Sequence, residues 1–183
     1  MGEVSMIFNE IIGLENIPEN EHVIYREAVR AVAFNFINQV VMIESSRGDY
    51  QFPGGGIDVG EEQLETLRRE ALEEAAIVIK ESVQQIGVME ESRKSLEVEG
   101  AYFVMKSTYY LCHVESYADD TQLEEYEKAM GFTPVEIEIE EAYKRNLKVL
   151  QQPDQGTPWI ERDTLVLKYL LDNKAKLLEI GGV

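Results

Sequence analysis

The sequence predicts one α/β (α+β) domain over residues 1–183, and three observations carry that expectation. Runs of β-branched and aromatic residues recur along the chain at strand length. A glycine-rich turn after Pro53 feeds directly into a stretch of strong helix formers. An apolar stripe at helical spacing closes the chain over residues 159–178. A chain of 183 residues, 44% of them hydrophobic, suits one good-sized core. No internal repeat, low-complexity segment or long linker divides it.

Residues 1–22 read as an N-terminal extension, with a short apolar stretch from Val4 to Ile12 and a turn-rich segment around Pro18. That stretch offers an added strand or a cover on the domain. His22 has no partner motif and reads as an ordinary side chain, not a ligand. Ala28 to Phe34 and Val40 to Ile43 are β-rich and joined by Asn35 to Gln39, which predicts a hairpin. Arg47-Gly48-Asp49 turns the chain, and Tyr50 to Phe52 forms a short strand leading into Pro53.

From Glu62 no Gly or Pro interrupts the chain until Gly87, so a helix of several turns begins there. Ile86 to Glu90 reads as a strand and the polar Glu91 to Gly100 as a loop. Ala101 to Met105 and Thr108 to Val114 are either a hairpin or one long strand with a bulge. Tyr117 to Gln122 is a loop with Asp119 and Asp120 in water, and Leu123 to Met130 a short acidic helix or an extended loop.

In the strand expected from Phe132 to Ile139, Val135, Ile137 and Ile139 alternate with Glu136, Glu138 and Glu140, which puts the glutamates in water. Glu140 to Leu150 reads as a helix with apolar contacts at Ala142, Leu147 and Leu150, and Gln151 to Pro158 as a loop. The C-terminal helix over 159–178 carries Leu165, Val166, Tyr169, Leu170 and Leu177 on one stripe. Covering the sheet is the expected use of that stripe, and a homodimer contact is the other.

Chemistry is concentrated between Pro53 and Ile77. On the helix, Leu64, Leu67, Ala71 and Ala75 share a face that should be buried. Glu70, Glu73 and Glu74 fall on a neighbouring face, where like charges three and four residues apart disfavour an isolated helix. Arg68 and Arg69 are expected to point elsewhere on the wheel, which leaves a divalent cation as the natural neutraliser. Oxygen ligands without His or Cys favour Mg2+ or Mn2+ over Zn2+. A glutamate run alone is most often solvated surface. Gly54, Gly55 and Gly56 narrow the reading, because they allow positive φ, close backbone approach, and N–H groups turned toward phosphate oxygens.

This spacing resembles the Nudix box, G-x5-E-x7-R-E-U-x-E-E-x-G-U, with U an aliphatic residue. The chain supplies Gly55, Glu61, Arg69-Glu70, Ala71, Glu73-Glu74 and Ile77 in register. Ala76 stands where the pattern has glycine, for which altered packing at the helix end is expected. A match of this length is far more specific than a lone glycine-rich loop. The order strand, strand, glycine turn, helix is also that in which Nudix domains present the box.

The resemblance implies an α/β/α sandwich with a mixed sheet and a metal-dependent hydrolase that cleaves the pyrophosphate bond of a nucleoside diphosphate linked to another group X. It implies Glu70, Glu73 and Glu74 as ligands of Mg2+ (or Mn2+), with Glu70 also orienting or deprotonating the attacking water. Gly55 and Gly56 would shape the backbone beside the phosphates, and Glu61 and Arg69 would hold loop and helix together. A further glutamate often comes from a loop before a late strand; here Glu127 is the positional match, with Glu124 and Glu125 as rivals. Arg47, Tyr50, Arg93 and Tyr102 are conceivable contacts for the base or X. The other class of function is a catalytically silent Nudix-like module that binds or senses a nucleotide metabolite.

A formal charge of −18 argues against a general nucleic-acid surface, and implies that a small anionic substrate arrives with metal ions that screen the carboxylates. The single cysteine, Cys112, excludes an intrachain disulfide and, lying in a strand-like run, reads as a buried thiol in a reducing compartment. No apolar run approaches the ~20 residues that span a bilayer, and the N-terminus lacks a basic segment, so a soluble cytoplasmic protein is expected.

Overall fold

The computed structural model describes residues 6–14, 17–152 and 159–181. β1 (Phe8–Gly13), β2 (Val23–Phe34), β3 (Val40–Glu44) and β4 (Tyr50–Gln51) lead to α1 (Gln63–Ala75). β5 (Ile77–Ile79), β6 (Gln84–Lys94) and β7 (Tyr102–Tyr117) follow, then α2 (Glu125–Ala129), β8 (Thr133–Ile137), α3 (Ile139–Leu150), α4 (Ile160–Asp172) and α5 (Lys174–Gly181).

The strands form one sheet in the order β1-β6-β7-β2-β3-β4, with β5 against β7 and β8 against β3. β1 runs parallel to β6 and β2 parallel to β7, while the remaining pairs are antiparallel, so the sheet is mixed. Period two then sorts side chains between two cores. Val29, Ala31, Ala33, Val41, Ile43 and Cys112 pack on one face against Leu67, Ala71 and Ala75 of α1. Val32, Phe34, Val40, Met42, Tyr109 and Leu111 pack on the other, against α3, α4 and α5 through residues such as Ala142, Val166, Leu170 and Leu177. Helices on both faces of a mixed sheet make the α/β/α sandwich, of the α+β class. The C-terminal stripe is spent on the chain's own core.

Local chemistry explains the edges. β4 pairs β3 on one side, and on the other its Tyr50 N–H donates to Asn146 Oδ1 at 2.7 Å while Asn146 Nδ2 donates to the Tyr50 carbonyl at 2.8 Å. A fully buried amide on α3 thus substitutes for a missing strand. The hairpin between β2 and β3 turns through Asn38, which adopts φ 64°, a region that asparagine tolerates better than most residues.

Several elements differ from the sequence expectation. β2 starts at Val23 because its register with Tyr102 onward on β7 extends pairing through polar residues. β6 reaches Lys94 for the same reason: Glu90 to Lys94 pair with Lys106 to Tyr102, so the expected loop from Glu91 begins later. β7 is one strand, not a hairpin, and α2 is a short helix. β5 was not foreseen. Leu64 is exposed, since it lies in the first turn of α1, beyond the sheet. α3 begins at Ile139, one residue before the expected Glu140, and its buried contacts are Ile139, Ala142, Asn146 and Val149. The C-terminal helix is two helices, broken at Asn173, whose backbone leaves helical geometry. In the N-terminal extension, β1 is the added strand; residues 1–5 and the expected loop at 153–158 lie outside the described residues.

Candidate active site

The turn from Pro53 to Ile57 runs beside β2 without joining it as a strand. Ala31 N–H donates to the Pro53 carbonyl, Val29 N–H to the Gly55 carbonyl, and Ile57 N–H to the Glu27 carbonyl, at 2.8, 3.0 and 3.0 Å. Gly54 adopts φ 144°, and a Cβ there would lie 2.1 Å from the Val29 carbonyl oxygen, so only glycine fits. A Cβ on Gly55 would meet the Glu70 carboxylate at 2.4 Å, which shows how closely α1 rests on the turn.

α1 projects its carboxylates into this corner. Glu74 is 4% exposed and accepts from the Gly54 N–H at 2.8 Å. Burial pushes its carboxyl up to about 8; Arg30 opposes that, and the charges of Glu70 and Glu127 add to it. Burial also raises Glu70, against the pull of Arg69.

Arg69 does not point elsewhere, as the helical wheel suggested. Its Nε and Nη2 donate to the two Glu61 carboxylate oxygens at 2.9 and 3.0 Å, while Nη1 donates to Glu70 at 2.7 Å and Glu73 at 3.0 Å. A guanidinium reaches well beyond its own Cα direction, and its fork serves three carboxylates together. Arg68 does turn away, donating to the Leu64 and Glu81 carbonyls.

The far wall comes from α2. Glu127 is 4% exposed and accepts from the Glu124 N–H at 2.7 Å, closing the first turn of that helix. Glu124 and Glu125 are exposed. The segment leading there is fastened to the end of α1: Ala118 N–H donates to the Ala76 carbonyl at 2.8 Å and Gln122 N–H to the Glu73 carbonyl at 2.7 Å. Ala76 itself adopts φ 52° and ψ 34°, a left-handed C-cap. At the position where the box pattern has glycine, the chain thus adopts a backbone conformation that glycine reaches without strain.

Two cavities meet at the glycine turn. One, of about 400 Å³, is lined by Glu70, Glu73, Glu74, Glu127 and Arg69. The other, of about 160 Å³, is lined by Arg26, Arg30, Arg93, Arg162, Phe132 and Trp159. Gly55, Gly56, Arg26, Glu74 and Tyr126 border both. Of Arg47, Tyr50, Arg93 and Tyr102, only Arg93 lines either cavity; Tyr50 is buried in the core beneath the Arg145 guanidinium. Arg26 and Arg30 are not singled out by the sequence reading, although two arginines flanking Ala28 at alternate positions, and so on one face of the strand, are a visible signal.

Among the described residues no group of three or more His, Cys, Asp or Glu converges as a metal site. Arg69 occupies Glu70 and Glu73, and Glu74 faces the turn. The donor chemistry nonetheless suits a hard divalent cation, because the lining carboxylates are oxygen donors, partly desolvated and mutually repelling.

The chain matches the model of the NUDIX domain over residues 24–153. It belongs to the Nudix family, whose hydrolases act on small nucleotide-derived substrates and generally use divalent cations. Among solved structures it is similar to a NUDIX hydrolase from Nitrosomonas europaea, at 19% identity and a TM-score of 0.55, over 82% of this chain and 89% of that one. That likeness is one of fold. Comparison with the curated proteins gives no match. No helix among the described residues is long and apolar enough to cross a membrane.

Proposed function

We propose that the chain is a metal-dependent hydrolase cleaving the pyrophosphate bond of a nucleoside diphosphate linked to another group X. The observation that supports this reading best is the contact between turn and helix: Gly54 is bonded to Glu74, and Glu70 rests against Gly55, so backbone amides and carboxylates share one cleft.

Displacement at phosphorus needs a positioned water, a base, and relief of charge on the phosphoryl oxygens. Glu70, Glu73 and Glu74 would hold Mg2+ or Mn2+, which when bound supplies charge neutralisation and a more acidic water. Glu70 orients the water and accepts its proton, with the buried Glu127 across the cleft as a second base. Gly55 and Gly56 give the phosphates close access to the backbone. Glu61, through Arg69, fastens the turn to α1 and sets the position of Glu70. A cytoplasmic setting suits this chemistry and the lone buried thiol.

The test is turnover of nucleotide sugars, dinucleoside polyphosphates, ADP-ribose, NADH and nucleoside triphosphates by purified protein with Mg2+ or Mn2+, and with chelator. Metal-dependent release of phosphate esters from at least one is expected. No turnover of any, with metal-dependent nucleotide binding retained, would make the chain a binding module instead.

A further inference from the structure

The smaller cavity is chemically the opposite of its neighbour. Among its lining residues four arginines face two carboxylates, Glu74 and Glu91. Arg162 is satisfied behind the wall, where it bonds Glu91 at 3.1 Å and Asp163 at 3.0 Å. Arg30 lies near Glu74 and donates to the Gly54 carbonyl. Arg26 and Arg93 remain, and neither is ion-paired among the described residues. Arg26 is exposed and lies against Gly56, where a Cβ would come within 2.2 Å of its Nε. Arg93 is held over the Phe103 ring at 4.5 Å.

The same wall is short of acceptors. Among the described residues, Arg30 Nε, Arg93 Nε and Trp159 Nε1 are buried donors without a hydrogen-bond partner, and all three residues line this cavity. Buried donors left unmet are costly, and a wall that keeps three of them suits an acceptor-rich anion. At about 160 Å³ the space falls below the few hundred Å³ of a pocket for a whole ligand, so it takes one group of a larger molecule. That group enters past Gly55 and Gly56, which the two cavities share.

Resting on the hydrolase reading above, we infer that Arg26 and Arg93 select a substrate whose X group carries a further phosphate, lodged in this cavity while the scissile pair lies at the turn. The adjoining cavity is lined mainly by carboxylates, so the basic cavity is the better complement for an additional phosphate. Nucleotides in which X is a neutral sugar leave both arginines without an anion.

The experiment compares kcat/KM for ATP, where X is itself a phosphate, with that for ADP-glucose, where X is neutral, and measures tripolyphosphate binding calorimetrically in EDTA. Wild type should favour ATP. Arg26→Gln and Arg93→Gln should each cut the ATP to ADP-glucose ratio and the tripolyphosphate affinity by about tenfold or more, the scale of a lost charge-assisted contact. Arg93→Lys, which keeps the charge should Gln disturb the stacking on Phe103, should retain more of both than Arg93→Gln. If wild type does not favour ATP, if tripolyphosphate does not bind, or if both Gln variants match wild type, the inference fails even when hydrolysis is robust. Tripolyphosphate binding that depends on both arginines, with no turnover of any nucleotide, upholds the anion site and overturns the hydrolase reading.

Discussion

The backbone N–H of Gly54 donates to Glu74 Oε2 at 2.8 Å, across twenty residues of chain and inside a buried corner. This bond ties the glycine turn to the end of α1 and gives Glu74 a local duty besides any chemistry. The two are separable by substitution. Glu74→Gln keeps an oxygen to accept from Gly54 and removes a carboxyl that burial forces to take up a proton near pH 7, so thermal stability there should be equal or higher. Hydrolysis should fall about 10²-fold or more, the scale of losing a charged group at the reacting phosphates. Wild-type rates in this variant, measured on any substrate turned over, would remove Glu74 from the site.

The fork between Arg69 and Glu61 should be visible in acid. Hydrogen bonds from Arg69 hold the Glu61 carboxyl down at about 2, below its ordinary 4.5. Because the folded value is the lower one, the contribution is fully present above about pH 4.5 and is lost as pH falls toward 2. Glu61→Gln should melt below wild type at pH 7, and the gap should close between pH 5 and pH 2. A gap that stays constant over that range would show that the charge is not the source.

Ala76 offers a gain. An L-residue in left-handed geometry costs about 1–2 kcal/mol, while a glycine costs about 0.4–1 kcal/mol through the unfolded chain. The first effect is larger at φ 52°, so Ala76→Gly should stabilise by about 0.5–1 kcal/mol, seen as a rise in Tm of roughly 1–4 °C. A lower Tm would mean that the Ala76 methyl has packing value that outweighs the backbone strain.

Asn146→Ala should be among the more damaging single changes. It leaves both the N–H and the carbonyl of Tyr50 unmet in a buried setting, at about 1–3 kcal/mol each before any relaxation. Urea unfolding should report a loss of about 2–4 kcal/mol, and a loss under 1 kcal/mol would show that water replaces the amide.

What was legible in the sequence was what is contiguous in it. The turn, the first helix and the glutamate spacing lie within one stretch, and the family follows from them. Arg69 was misjudged because a wheel records Cα directions and not the reach of a guanidinium. The ends of β2 and β6 were missed because polar residues there are held by pairing with β7, which propensity does not register. The basic cavity was hidden for a related reason: Arg26, Arg93 and Trp159 come from β2, β6 and the start of α4, and only the folded sheet brings them together.

The two amide bonds from Ala118 and Gln122 to the last carbonyls of α1 bear on how the protein opens. Glu127 follows that segment closely in the chain, so the region cannot swing away from Glu74 unless the end of α1 frays with it. The two walls of the acidic cleft therefore belong to one cooperative opening unit. In hydrogen exchange, the Gln122 amide should be protected together with the last turn of α1, although it lies in a surface loop.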